Sequence, residues 1–99
     1  MERYSILLGD EFLKWYEPLK DKEKSIIEVR LTRIREDMYF GDSKYLGDSL
    51  SELHWKNGRR IYFTKIDQLK LIILLGGYKN AQKKDIKKAR LLLRRYTSS

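Results

Sequence analysis

Leu50 to Leu75 reads LSELHWKNGRRIYFTKIDQLKLIILL, and within it the spacing of apolar residues alternates rather than following a helical period. Three strands are predicted, Leu50 to Lys56, Arg59 to Ile66 and Leu69 to Leu75, joined at Asn57-Gly58 and near Asp67-Gln68. The third is apolar on both faces, which suits a strand covered on both sides and places it centrally in the sheet. Gly76-Gly77 is read as its end. The first hairpin has two possible registers. A two-residue Asn57-Gly58 turn would put Leu53 and Trp55 on the face of Arg60 and Tyr62 and send Ile61 and Phe63 to the other, splitting the apolar set. A three-residue loop, Lys56-Asn57-Gly58, with Gly58 left-handed in a G1 bulge, shifts the parity by one and unites Leu53, Trp55, Ile61 and Phe63. The second register is the one predicted, and it leaves Glu52, His54, Arg60 and Tyr62 together on the opposite face.

The segments on either side read as helices. Tyr4 to Leu8 is a short strand candidate, after which Asp10 offers an N-cap to a helix burying Phe12, Trp15, Tyr16 and Leu19 and stopped by Pro18. From Asp21 to about Tyr39 the stripe Ile27, Leu31, Ile34 and Met38 opposes Lys24, Glu28 and Arg35, the pattern of an amphipathic helix antiparallel to the first. Gly41, Gly47 and their serines read as a connection. Beyond the strands, a last helix opens near Asn80, with Ile86, Ala89, Leu93 and Tyr96 as its buried stripe and Lys83, Lys84, Lys87, Lys88, Arg90, Arg94 and Arg95 on its other sides. The expected fold is an α/β protein of the α+β kind: short N-terminal strand, two helices, a three-stranded antiparallel meander and a C-terminal helix.

Ninety-nine residues suffice for one core, and the sequence has no linker-like tract, so residues 1–99 are read as a single domain. The longest apolar run stops at Gly76, far short of a membrane span, and Asp10 and Glu11 interrupt the N-terminus too early for a secretion signal; a cytoplasmic protein without membrane contact is expected. With no cysteine and His54 as the lone histidine, disulfides, thiolate chemistry and a Cys/His metal site are excluded, and no metal or cofactor is expected. Charge is divided unevenly. Residues 1–49 carry 9 Lys/Arg against 11 Asp/Glu, and residues 50–99 carry 13 against 3, so the second half is the one suited to a polyanion.

No phosphate-binding glycine loop, Ser-His-Asp set or paired-carboxylate motif is present. What remains is the polar face of the hairpin with Lys79 and Gln82 beyond it. RNA carries its own nucleophile, and cleavage by its 2′-hydroxyl needs a proton acceptor, a proton donor and cations around the phosphate. Arg60 and Lys79 suit the charge, His54 with Glu52 the proton, and Tyr62 a stacked base or a proton. Bland uses stand beside these: Arg60 can pair across the strands with Glu52, Tyr62 is a good strand former, and a lysine-rich helix is often a solvated face.

Three blocks carry a family resemblance: Gly41-Asp42-Ser43-Lys44-Tyr45-Leu46-Gly47 leading to Ser51-Glu52-Leu53, then Arg60-Ile61-Tyr62-Phe63, then the run from Leu74 to Ala89. Together with Phe12, Trp15 and Leu19-Lys20-Asp21 they resemble the RelE/ParE toxin superfamily and, within it, the HigB-type phage-derived addiction-module killer proteins. The resemblance implies a RelE-like fold and a toxin–antitoxin hetero-oligomer with a cognate helix-turn-helix antitoxin. It also implies metal-independent endonucleolytic cleavage of mRNA in the ribosomal A site. It assigns the strand arginine to Arg60 and the basic residue after the strand to Lys79, while Lys44, Tyr62, Gln82 and Asp85 match the subfamily pattern. Arg59, Lys83, Lys84, Lys87, Arg90 and Arg94 join Lys44 and Gln82 as candidate contacts to RNA or ribosome. Glu52 and His54 stand where RelE has strand lysines, and Asp85 lies near the place of a RelE tyrosine. Two other functions are open, a ParE-like inhibitor of DNA gyrase and a nucleic-acid-binding module without catalysis.

Overall fold

The computed structural model describes residues 3–97. Strand β1 (Ser5–Leu8) leads to helices α1 (Asp10–Tyr16) and α2 (Asp21–Asp37), and four strands follow: β2 (Ser43–Gly47), β3 (Leu50–His54), β4 (Arg59–Asp67) and β5 (Lys70–Tyr78). A 3₁₀ turn, Lys79–Ala81, opens into helix α3 (Gln82–Thr97). The five strands form one sheet in the order β1-β5-β4-β3-β2, in which β1 runs parallel to β5 and the other neighbours are antiparallel.

Alternation in the strands produces a core on each face. Phe12 of α1 and Ile27, Leu31 and Ile34 of α2 pack with Leu53, Ile61, Phe63, Leu71 and Ile73 on one side. Ala89, Leu92 and Leu93 of α3 pack with Leu50, Tyr62, Ile72, Leu74 and Leu75 on the other. Strand β5 is therefore buried on both sides, as its unbroken apolar run requires, although β4 holds the middle of the sheet.

The hairpin takes the three-residue loop. Leu53 pairs with Ile61 and His54 with Arg60, Trp55 N–H donates to Arg59 O at 3.1 Å, and Gly58 has φ +96°. Uniting the apolar set on one face outweighed the two-residue turn suggested by Asn57-Gly58.

Four expectations are corrected. The connection around Gly41 to Gly47 contains β2, which the sequence hides because it is an exposed edge strand held by its ladder to β3 rather than by burial. Its turn uses Asp48 (φ 50°) and Ser49 (φ 70°), both left-handed, without the Asn-Gly signature. Gly76 and Gly77 do not end β5, which runs on to Tyr78. They are glycines because a Cβ on Gly76 would fall within the Trp15 indole and one on Gly77 would fall on Asp85 Oδ2. Gly9, not Asp10, occupies the N-cap of α1, so Asp10 contributes its charge to the first turn instead. Tyr96 is exposed, and the buried stripe of α3 ends at Leu93 with Leu92 beside it.

Candidate functional site

The ladders place the site. Because His54 pairs with Arg60 and Arg60 with Gly77, these three form a row across β3, β4 and β5 on the face covered by α3. The adjacent row runs from Lys44 through Glu52 and Tyr62 to Leu75. The first turn of α3 lies over both rows, bringing Gln82 to Glu52 and Asp85 to Gly77.

Glu52 is fully buried, and a carboxylate there is tolerable only with donors on it. His54 Nε2 donates to Oε1 and Gln82 Nε2 donates to Oε2 at 2.9 Å. The other ring nitrogen of His54 stands 3.8 Å from Asp42 Oδ1, and 20% of the side chain is open to solvent. Arg60 does not pair with Glu52. Its Nη1 donates to the carbonyls of Arg59 at 3.1 Å and Trp55 at 3.4 Å, and its buried Nε has no partner among the described residues. Thus the guanidinium is turned toward the hairpin end, and no carboxylate among the described residues forms an ion pair with it. Lys79 follows β5 and is exposed, its backbone tied to the hairpin by Lys79 N–H donating to Gly58 O at 2.7 Å.

Tyr62 departs from the role expected of it. The whole residue is buried beneath α3, so its ring is out of reach of a stacked base. Its hydroxyl lies against the Glu52 carboxylate without a hydrogen bond of ordinary geometry, and burial, then the charge and contact of Glu52, then the charge of Asp85 push its pKa well above the usual tyrosine range. Asp85 is half-buried against Gly77, with Cγ 3.1 Å from where a Cβ would stand. Burial raises its pKa, an effect that Lys84 and Lys88 oppose.

The candidate RNA contacts divide into two groups. Lys44, Lys83, Lys84 and Lys87 are exposed, as is Arg94, and Gln82 is half-buried on Glu52. Arg59 is only 1% exposed; it lies on the other face, ion-paired with Glu23 and 5.4 Å above the Trp55 ring, so it belongs to the core and not to a surface for RNA. Arg90 donates to Leu46 O at 2.9 Å and Gly47 O at 3.1 Å, clamping the β2–β3 turn to α3.

Sequence reasoning passed over Arg30, Asp42 and, as a site member, Asp85. Arg30 lies on Trp55 at 4.3 Å and donates to the carbonyls of His54 (3.0 Å), Phe40 and Asp42 (3.4 Å each), bracing the end of β3 from behind. Its only sequence signal is a place on the polar side of α2. For Asp85 a signal existed: a glycine in mid-strand marks a close approach by something else. Among the described residues there is no cluster of His, Cys, Asp and Glu able to hold a metal, and no helix is long and apolar enough to cross a membrane.

No family model matches the chain. A Haemophilus influenzae protein described as uncharacterized is 37% identical over 84 residues, spanning 82% of this chain and 84% of that protein. Among solved structures, the chain is similar to a doubly substituted variant of the E. coli toxin RelE in the free state. The TM-score is 0.69 at 15% identity, over 90% of this chain and 94% of that one. Isolated E. coli RelE gives 0.64 at 15% identity over 86% and 97%, and a chain of the intact E. coli RelBE toxin–antitoxin complex gives 0.60 at 16% over 76% and 95%. These likenesses, at such low identity, are likenesses of fold.

Proposed function

This chain belongs to one family with the Haemophilus influenzae protein and has the RelE toxin fold, and from that premise we propose that it is the toxin of a type II toxin–antitoxin pair, of the HigB kind. In this reading it cleaves mRNA on the ribosome in the cytoplasm without metal and so stops translation. The observation that carries the proposal is the row His54, Arg60, Gly77, in which a histidine held by a buried carboxylate stands next to an arginine that no carboxylate among the described residues pairs with.

Arg60 and Lys79 would hold the scissile phosphate and offset the charge that grows on it as the 2′-oxygen attacks. His54 would move a proton, with Glu52 and Gln82 fixing the orientation of the ring. The lysines of α3 would dock on ribosomal RNA through their charge, and an antitoxin would cover the cationic half of the molecule until released.

Inducing the chain without an antitoxin and mapping the 5′ ends of mRNA within minutes, beside an Arg60→Ala control, tests the proposal. New ends phased to codons and missing from the control are expected. Growth arrest with DNA damage and no new ends would replace this reading by a gyrase inhibitor, and a toxic Arg60→Ala would remove Arg60 from it.

A further inference from the structure

Transesterification of RNA requires two proton transfers, one from the 2′-hydroxyl and one to the departing 5′-oxygen, and these oxygens lie on opposite sides of phosphorus. His54 is one such group. The ladder shows where a second would have to stand. In the row His54, Arg60, Gly77, adjacent strands are about 4.8 Å apart, so the outer two positions flank the arginine about 10 Å from each other. Gly77 carries no side chain, and the space it leaves holds the carboxylate of Asp85, delivered by the first turn of α3.

An aspartate in the first turn of a helix ordinarily serves the helix, accepting from a free backbone N–H. Asp85 does not: its carboxylate makes no hydrogen bond and no ion pair among the described residues, and it presses on the sheet instead. Near it are the fully buried Tyr62 hydroxyl, which lies against the Glu52 carboxylate, and, on the strand position paired with Gly77, Arg60, whose buried Nε has no hydrogen-bond partner among the described residues. Buried polar atoms are almost always satisfied, so a carboxylate and a guanidinium N–H held without partners at adjoining positions of one row mark a place where a ligand completes the bonding.

Resting on the ribonuclease reading, we propose that Asp85 is a catalytic residue: its carboxylate takes the proton of the attacking 2′-hydroxyl from the side of Arg60 opposite His54. The O–H bond of the 2′-hydroxyl breaks toward Asp85 as the 2′-oxygen bonds to phosphorus. The P–O5′ bond then breaks, a proton passes from His54 to the 5′-oxygen, and the products are a 2′,3′-cyclic phosphate and a 5′-hydroxyl. Burial raises the proton affinity of Asp85, as a base requires, while Lys84 and Lys88 on its own helix oppose the rise and keep it ionisable; Tyr62 on β4 faces it as a neutral phenol.

The test is single-turnover cleavage of mRNA bound in the A site of purified ribosomes, with either the natural 5′-oxygen or a bridging 5′-sulfur at the scissile bond. A sulfur leaving group departs without a proton, so it restores a variant lacking the acid and leaves one lacking the base impaired. Asp85→Asn is expected to lose about 100-fold or more on both substrates, and His54→Gln to lose on oxygen and recover on sulfur. Gly77→Ala, which fills the space of the carboxylate, should repeat the Asp85→Asn result, with thermal melting to show that each variant is folded. A folded Asp85→Asn that cleaves the oxygen substrate at the wild-type rate overturns the proposal while leaving the ribonuclease reading intact. Its recovery on sulfur would make Asp85 the acid and overturn the assignment as base. A wild-type chain that cuts neither substrate overturns the reading on which the proposal rests.

Discussion

Arg59 and Arg60 are neighbours in the chain and point to opposite faces of the same strand. Arg59 goes inward beneath α2, where Glu23 neutralises it and the Trp55 ring lies against it, so its charge is spent inside the fold. Arg60 goes beneath α3, where it finds only carbonyl oxygens and keeps its charge. Beneath α2 the arginine has its ionic partner, whereas beneath α3 Glu52 is satisfied by His54 and Gln82 while Arg60 has no carboxylate partner among the described residues. The two faces differ in what their polar residues are for, and substitutions on each should separate stability from activity.

The largest effect is expected at Arg59. Truncating one partner of a buried ion pair strands the other, and Arg59→Ala should lower the unfolding free energy by about 3 kcal/mol. This is the lower end of the usual range because Glu23 keeps 33% of its side-chain surface in water and can hydrate. Urea denaturation measures it, and a loss below about 1 kcal/mol would mean that Arg59 behaves as a surface cation.

Arg60→Ala comes next and is expected to reverse the pattern. Cleavage should fall about 100-fold or more, equivalent to about 2.7 kcal/mol of transition-state stabilisation, because an unshared cation at the phosphate is lost. The urea midpoint should hardly change, since no carboxylate is left unpaired. If stability falls as far as in Arg59→Ala, the two faces are alike and the distinction fails.

Tyr62 tests the face beneath α3 more finely. Its hydroxyl is buried without an acceptor of good geometry, and such a group costs free energy in the folded state. Tyr62→Phe removes the cost while keeping the ring packed under α3, so the variant should equal or exceed the wild type in stability, by up to about 1 kcal/mol. Lost stability in urea would show that the hydroxyl has a partner after all.

The two faces were not equally legible in the sequence. Apolar alternation alone set the hairpin register, and with it the sharing of one face by Glu52, His54, Arg60 and Tyr62. Strand β2 was hidden because an exposed edge strand needs no apolar pattern, only a neighbour with free hydrogen-bonding groups. Arg59 was misread because a buried arginine and an exposed one look the same until a partner 36 positions away in sequence is known. Depth was the missing quantity for Tyr62, and the packing of α3 decides it. Asp85 required knowing that Gly77 stays within β5, which its adjacent pair of glycines argued against.

Asp85 provides the smallest effect and one whose sign separates a catalytic group from a structural one. Its folded-state pKa is raised, with burial as the main cause, while in the unfolded chain it returns to an ordinary carboxylate value. The folded state therefore binds the proton more tightly, and its stability falls as pH rises from the unfolded pKa through the folded one. Above the raised pKa the full cost of the buried charge is present. Asp85→Asn removes it, so the variant should match the wild type in acid and become the more stable of the two as pH rises from the unfolded pKa through the raised one. Urea midpoints measured at intervals from the acid range to neutrality would trace this divergence. An aspartate that served as an N-terminal charge for α3 would give the opposite sign, with the variant less stable at neutral pH and the gap closing in acid. The expected sign is that of a residue kept at a cost to the fold, which is what a base pressed into the space above Gly77 should be.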